Sequence, residues 1–160
     1  MKGGALTLKA GLAATANETP GSAQDYVLED QVGHLLRRAH QRHTAIFQEG
    51  MDEAQLTPTQ FAALVKIKDL GCVSQNQLGR LTAMDPATIQ GVVQRLLVRG
   101  LIERQPDLAD RRCTELRLTS AGEALAGRAI ERARAITAAT LTPLGEEERA
   151  KFLTLLRRLI

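Results

Sequence analysis

Two groups of side chains in this sequence have the types and spacing to do chemistry, and in both the chemistry is recognition rather than bond-making. The first comprises Ser74, Gln75, Ala87, Thr88, Gln90, Gly91, Gln94 and Arg95, with Asp110, Arg111 and Arg112 further on. Amides pair with adenine edges, guanidinium with guanine, and small residues leave room for a thymine methyl. An arginine at the tip of a loop gains from the concentrated negative potential of a narrow A·T minor groove. An aspartate two residues before Arg112 can pair with it and pre-set its direction. The second group is Arg37, Arg38, His40 and His43, cations and imidazoles within seven residues, suited to an anionic ligand. A histidine on or beside an apolar stripe is more often a core residue bonded to a neighbour, so both roles stand open. Catalysis finds no support: there is no nucleophile elbow, phosphate loop, metal pair or carboxylate pair at catalytic spacing, and neither a catalytic nor a metal site is expected.

The first group must be carried by short elements, and the punctuation for them is present. Ser74 can cap a helix from about Gln75 to Leu81, with Gln77 reaching back to complete a capping box. Thr82-Ala83-Met84 is a tight connection. Asp85 is a preferred N-cap and Pro86, at the first helical position, has no N–H to leave unpaired, so a second helix runs to about Arg99 and stops at Gly100. Ile89, Val92, Val93, Leu96 and Leu97 fall at helical spacing and face inward. Ala87, Thr88, Gln90, Gly91, Gln94 and Arg95 therefore face out, on a surface with no acid beyond the cap. Two helices so joined match the helix-turn-helix that enters a DNA major groove. An ordinary helical hairpin with a wetted polar face is the competing reading.

The segment after Gly100 separates these alternatives. Leu101–Arg104 and Thr114–Leu118 have strand character and flank Gln105 to Arg112, a β-hairpin with a basic tip, which is a wing. A solvated charged turn is the usual explanation for such a cluster standing alone. Cys72-Val73-Ser74 can add a short third strand.

The remaining helices form a frame. Asp25 to about Gly50 reads as one long helix whose stripe Val32, Leu36, Ala39, His43, Ile46 and Gly50, widened by Leu35 and Phe47, is expected to be buried. Thr57-Pro58-Thr59-Gln60 starts another, carrying Phe61, Leu64 and Val65 inward to a stop at Gly71. Ser120 to about Thr140 is an Ala-rich helix with a seam of Ala121, Leu125, Ala129, Ala133, Ile136 and Thr140, where small residues admit a close neighbour. Thr142-Pro143 is expected to start the last helix, with Phe152, Leu153, Leu156, Leu159 and Ile160 forming a broad apolar face. So much apolar surface on a last helix predicts a partner subunit, and two-fold symmetry then predicts a pseudo-palindromic site with half-sites about 10 bp apart or a multiple.

Taken together, Ser74 to Leu81, Asp85-Pro86-Ala87-Thr88, Arg99-Gly100-Leu101-Ile102, Asp107-x-x-Asp110-Arg111-Arg112 and Leu118-Thr119-x-x-Gly122 resemble the MarR family of bacterial transcriptional regulators. The resemblance spans roughly Asp25 to Ile160. It implies a mainly α fold: a winged helix-turn-helix DNA-binding lobe (57–118) with a small β-hairpin wing, and an α-helical dimerisation lobe formed by the N- and C-terminal helices (25–56 and 119–160). It also implies a homodimer on double-stranded DNA, with Arg112 at the minor-groove position and Asp110 orienting it. The Arg37–His43 and Ser74–Arg80 segments resemble a subgroup that controls aromatic-acid catabolism. That implies a ligand-responsive repressor released from its operator by a small-molecule effector, an anionic aromatic acid or its coenzyme A thioester, with no resident cofactor. A thiol redox sensor using Cys72 or Cys113 is the alternative, and it requires an exposed cysteine of low pKa.

Composition sets the outer bounds. A chain of 160 residues builds one good core. With 44% hydrophobic but only 2% aromatic residues, it suits an Ala- and Leu-rich helical protein. A net charge of +3 and a pI near 9.2 permit a polyanionic partner without demanding one. Two cysteines without metal or redox spacing imply a reducing cytoplasm. No apolar run approaches a membrane span, and residues 1–24 read as a flexible arm in which only Lys2 and Lys9 favour a role on DNA.

Overall fold

The helices begin where side chains are available to catch their first amides. The computed structural model describes residues 26–106 and 114–160, which form six α-helices and three strands. They are α1 (Val32–Gly50), α2 (Pro58–Leu70), β1 (Val73–Ser74), α3 (Gln75–Leu81), α4 (Pro86–Val98), β2 (Ile102–Pro106), β3 (Thr114–Leu118), α5 (Ser120–Thr140) and α6 (Glu146–Arg157). Thr57 and Gln60 close a full capping box on α2: the Thr57 Oγ1 accepts from the Gln60 amide at 3.2 Å, and Gln60 Oε1 accepts from the Thr57 amide at 3.0 Å. At α3 only half of the expected box forms, Ser74 Oγ accepting from the Gln77 amide at 3.3 Å. α4 ends at Gly100, whose φ of 65° lies where a residue without a Cβ sits at no steric cost.

The strands make one antiparallel sheet of order β1-β3-β2. Val73 pairs with Leu116 and Ile102 with Leu118, so Val73, Ile102 and Leu116 all turn into the core. The hairpin is longer than expected, since Gln105 and Pro106 pair with Glu115 and Thr114. Pro106 is tolerated there because β2 is an edge strand. The core under the sheet joins Leu64 and Ile67 of α2, Leu78 of α3, and Ile89, Val92, Val93 and Leu96 of α4. Each such side chain contributes about 1.5–3 kcal/mol by leaving water.

The described chain falls into two compact units that divide within α1, after Leu35. The described part of the first holds a 3-10 turn (Leu28–Asp30) followed by the opening of α1. The long helix expected from Asp25 therefore starts at Val32. Its stripe is not buried within one chain: Val32, Leu35 and Leu36 are 66%, 52% and 47% exposed, and Phe47 alone on α1 is buried. In the second unit the α5 seam runs through Ala129 and Ile136 as expected, but its first two turns are shifted by one position, Gly122 and Ala126 being buried where Ala121 and Leu125 were expected. Ala121 is exposed, while Gly122, Ala126, Ala129 and Ile136 are buried. Gly122 sets that register: a Cβ there would stand 1.9 Å from the Leu101 carbonyl oxygen, which itself accepts from the Thr119 amide at 3.1 Å. α6 starts later than Thr142-Pro143, at Glu146, where Glu148 Oε2 accepts from the Gly145 amide at 2.7 Å. On α2, Phe61 and Val65 are half-buried, and the deeper positions are Gln60, Ala63, Leu64 and Ile67.

Candidate nucleic-acid interface

Asp85 does more than end a turn. Its Oδ1 accepts from the amides of Ala87 and Thr88 at 3.0 and 2.9 Å, and its Oδ2 accepts from the Thr88 hydroxyl at 2.5 Å. The Thr88 hydroxyl first, and the Thr88 amide next, hold the Asp85 carboxyl below its usual value. Thr88 thus spends its only hydroxyl proton on the cap and offers lone pairs and a methyl outward.

With the start of α4 pinned, its faces separate. Ile89, Val92, Val93 and Leu96 are at most 2% exposed. Ala87, Thr88, Gln90, Gln94 and Arg95 are exposed, and Gly91 between them is half-buried. The guanidinium of Arg95 lies back over Gly91, with Nη2 at 3.2 Å from where a Cβ would be. The small residue therefore makes room for a cation on the outward face. The far end of α4 is fixed by Arg99, whose Nη1 and Nη2 donate to the carbonyls of Gln55 and Ala54 at 2.7 and 3.0 Å. Nothing in the periodicity announced that contact, because its acceptors are backbone atoms 44 and 45 residues away. Ser74 and Gln75, at the start of α3, are half-buried, and Ser74 is occupied as a cap. The turn between α3 and α4 holds Ala83 at a φ of 53°, a left-handed conformation that costs an L-residue about 1–2 kcal/mol. Asp110, Arg111 and Arg112, and with them the minor-groove assignment, lie outside the described residues, as do Cys113 and residues 1–24.

The second group of residues divides. His40 and His43 line a cavity of about 350 Å³ between α1, the end of α5 and α6, with walls from Leu36, Leu141, Phe152 and Leu156. Arg37 and Arg38 are exposed and do not line it. Arg42 donates to the carbonyls of Thr140 and Ala139 at 2.5 and 3.2 Å and so holds the last turn of α5 beside the cavity. Thr140 lines the cavity too, its Oγ1 at 3.0 Å from His43 Nδ1. His43 is thus bonded to a neighbour, Thr140, and lines the cavity as well.

Cys72 lacks the environment of a sensor. Its hydrogen bond with Glu115, then burial, then the Glu115 charge push the thiol above its usual value, outweighing Arg117. The thiolate is the reactive form, so the redox alternative is not favoured at Cys72. Among the described residues no His, Cys, Asp or Glu cluster could hold a metal ion.

A helix pair with a polar outward face, backed by a three-stranded wing sheet, defines a winged helix-turn-helix protein. A MarR-family model matches residues 56–114. The HTH-type transcriptional repressor NicR of Pseudomonas putida is 44% identical over 146 residues, 91% of this chain and 92% of that protein. A probable transcriptional regulator from Pseudomonas aeruginosa has a crystal structure that aligns with a TM-score of 0.81 at 48% identity, covering 84% of this chain and all (100%) of that one. Bordetella bronchiseptica BpsR, whose structure concerns regulation of its DNA binding by 6-hydroxynicotinic acid, aligns with a TM-score of 0.79 at 42% identity, covering 84% and 96%. This chain belongs to the MarR family, and it is a transcriptional regulator rather than an enzyme.

Proposed function

We propose that the protein is a ligand-responsive repressor that binds a pseudo-palindromic operator as a homodimer and is released by a small aromatic acid. The observation that carries the DNA half is the outward face of α4, where Gln90, Gln94 and Arg95 stand exposed with no acid beyond the Asp85 cap. Gln90 and Gln94 read adenine edges, Arg95 a guanine or a phosphate, and Ala87 and Thr88 leave room for a thymine methyl. Ser74 and Gln75, at the start of the helix before it, meet the backbone. Arg112 enters the minor groove from the wing, oriented by Asp110 and flanked by Arg111. Exposed Leu36 on α1, Leu155 on α6 and Leu159 just beyond it supply apolar surface for a second copy. A regulator of this kind works where the DNA is, in the cytoplasm.

The cavity at His40 and His43 supports the effector half. It is apolar, has two imidazoles on one wall, and is of a size for one aromatic ring with its carboxylate. A coenzyme A thioester would have to leave most of its nucleotide outside, so the free acid is the better fit. Arg37, Arg38 and Arg42 give that end of α1 a positive field that favours an anion. The relation to BpsR makes 6-hydroxynicotinic acid the first compound to try. Release requires that the effector bind the DNA-incompetent geometry more tightly than the DNA-bound one. Fluorescence anisotropy of the protein on the DNA upstream of its own gene tests both halves. The expected result is tight binding that weakens steeply with salt and is reversed by a panel of aromatic acids. Binding that no acid or thioester reverses would remove the effector half.

A further inference from the structure

The head of α4 presents acceptors and no donor. Asp85 Oδ1 takes the amides of Ala87 and Thr88, and Oδ2 takes the Thr88 hydroxyl at 2.5 Å. An ionised carboxylate has no proton to give, and the bonds from Thr88 hold this carboxyl below its usual value, so the hydrogen between the two side chains belongs to Thr88. A hydroxyl has only one. With it spent on Asp85, Thr88 Oγ1 turns outward with lone pairs alone, and among the described residues nothing donates to it. Both side chains are exposed, on the surface that α4 offers to a major groove. They form a patch that accepts hydrogen bonds and cannot give one.

That property sorts what the patch can meet. Phosphate oxygens, guanine N7 and O6 and thymine O4 are themselves acceptors, and each would set lone pair against lone pair. In the major groove only the exocyclic amino groups, cytosine N4 and adenine N6, offer an N–H. Resting on the reading of α4 as the recognition helix, we infer that Asp85 is a positioning residue that takes the Thr88 proton and so makes Thr88 select a base with an exocyclic amino group. Arg95 supplies the complement. Thr88, Gly91 and Arg95 share one line of the helix, and the Arg95 guanidinium folds back over Gly91 toward Thr88. A donor-only group thus neighbours the acceptor-only pair, as the acceptors of a guanine neighbour the amino group of its cytosine.

Site selection from a randomised half-site library, followed by anisotropy titration of the full chain on single-position changes, finds the base that Thr88 meets as the one whose preference Thr88→Val removes. There the parent protein should prefer cytosine or adenine to guanine and thymine. Replacing that base by 2-pyrimidinone in the cytosine case, or by unsubstituted purine in the adenine case, deletes the amino group and should weaken binding about tenfold. In Thr88→Val the analogue and the natural base should bind within about threefold of each other, and in Thr88→Ser, which keeps the hydroxyl, the tenfold loss should return. Circular dichroism melting checks folding, and Thr88→Ala is read in the same way if the Val variant does not fold. Asp85→Asn is the sharper variant. The two backbone amides hold its carboxamide oxygen where Oδ1 stands, which turns the NH2 onto Thr88 Oγ1 and frees the Thr88 proton to point outward. Preference at that position should then move to guanine or thymine by about fivefold or more, while the melting temperature hardly changes, because asparagine caps a helix as well as aspartate does. A Thr88→Val variant with every preference intact, a preference unmoved in Asp85→Asn, or analogues that bind as tightly as the natural base overturn the inference, and a preference lost in Gln94→Ala would still leave α4 as the reading helix. If no variant on α4 alters any preference, this inference and that reading fall together.

Discussion

The α2–α4 helices with their sheet, and the helices α1, α5 and α6, solve the problem of apolar surface differently. In the first region one chain builds a full core: Leu64, Ile67, Val73, Leu78, Val92, Val93 and Leu96 are sealed, and its exposed large apolar residues, Leu70, Leu81 and Val98, are each the last residue of a helix. In the second, Leu36, Leu155 and Leu159 are left 47%, 47% and 69% exposed. The difference teaches that the reading head is complete in one chain, whereas the frame is half of something. A symmetric partner turns that deficit into the spacing between two recognition helices.

The sharpest way to break the comparison is to charge the frame. Leu155→Glu with Leu159→Glu should convert a dimer to a monomer at micromolar concentration in analytical ultracentrifugation, and weaken operator binding roughly hundredfold or more through the lost second half-site. Circular dichroism should show helicity retained. The contact between α5 and the reading head should respond instead to a packing change. Gly122→Ala drives a methyl onto the Leu101 carbonyl and should cost about 2–3 kcal/mol in thermal unfolding, because backbone cannot move aside as a side chain can.

Smaller effects test the face of α4. Gln94→Ala should cost about 1–3 kcal/mol on the preferred operator and much less on an operator altered at the base it reads. Asp85→Ala should lower the melting temperature as the cap is lost. The sign with pH follows from a carboxyl held low in the folded state. Its contribution is present above the usual carboxylate value and lost as pH falls through the lowered one, so the parent and Asp85→Ala melting curves should converge only in acid. The smallest change is Ala83→Gly, which relieves a left-handed alanine and should be neutral or stabilising by up to about 1 kcal/mol.

Much of the reading head was legible in the residues because local rules govern it. Asp85-Pro86 and Thr57-Pro58 mark their helix starts by cap chemistry, and Ile89, Val92, Val93 and Leu96 declare their face by spacing alone. The frame was less legible. Periodicity put Val32 and Leu36 on one stripe correctly, but it cannot say whether a stripe is covered by the same chain or by another. The start of the α5 seam was misplaced by one position because Ala121, Gly122 and Ala126 are all small, and only the close approach of Leu101 to Gly122 decides between them. Arg99, Arg42 and Thr140 were missed as positioning groups for a common reason. Their partners are backbone carbonyls, or a ring nearly a hundred residues away, and neither leaves a trace in local pattern.

The most direct measurement is a footprint of the parent protein and a Gln90→Ala, Gln94→Ala variant on the DNA upstream of its own gene. Two symmetric protected half-sites about 10 bp apart, or a multiple, with base preference at matching positions lost in the variant, is the result expected when α4 reads the major groove twice. Protection of a single half, or a base preference unchanged in the variant, would contradict it.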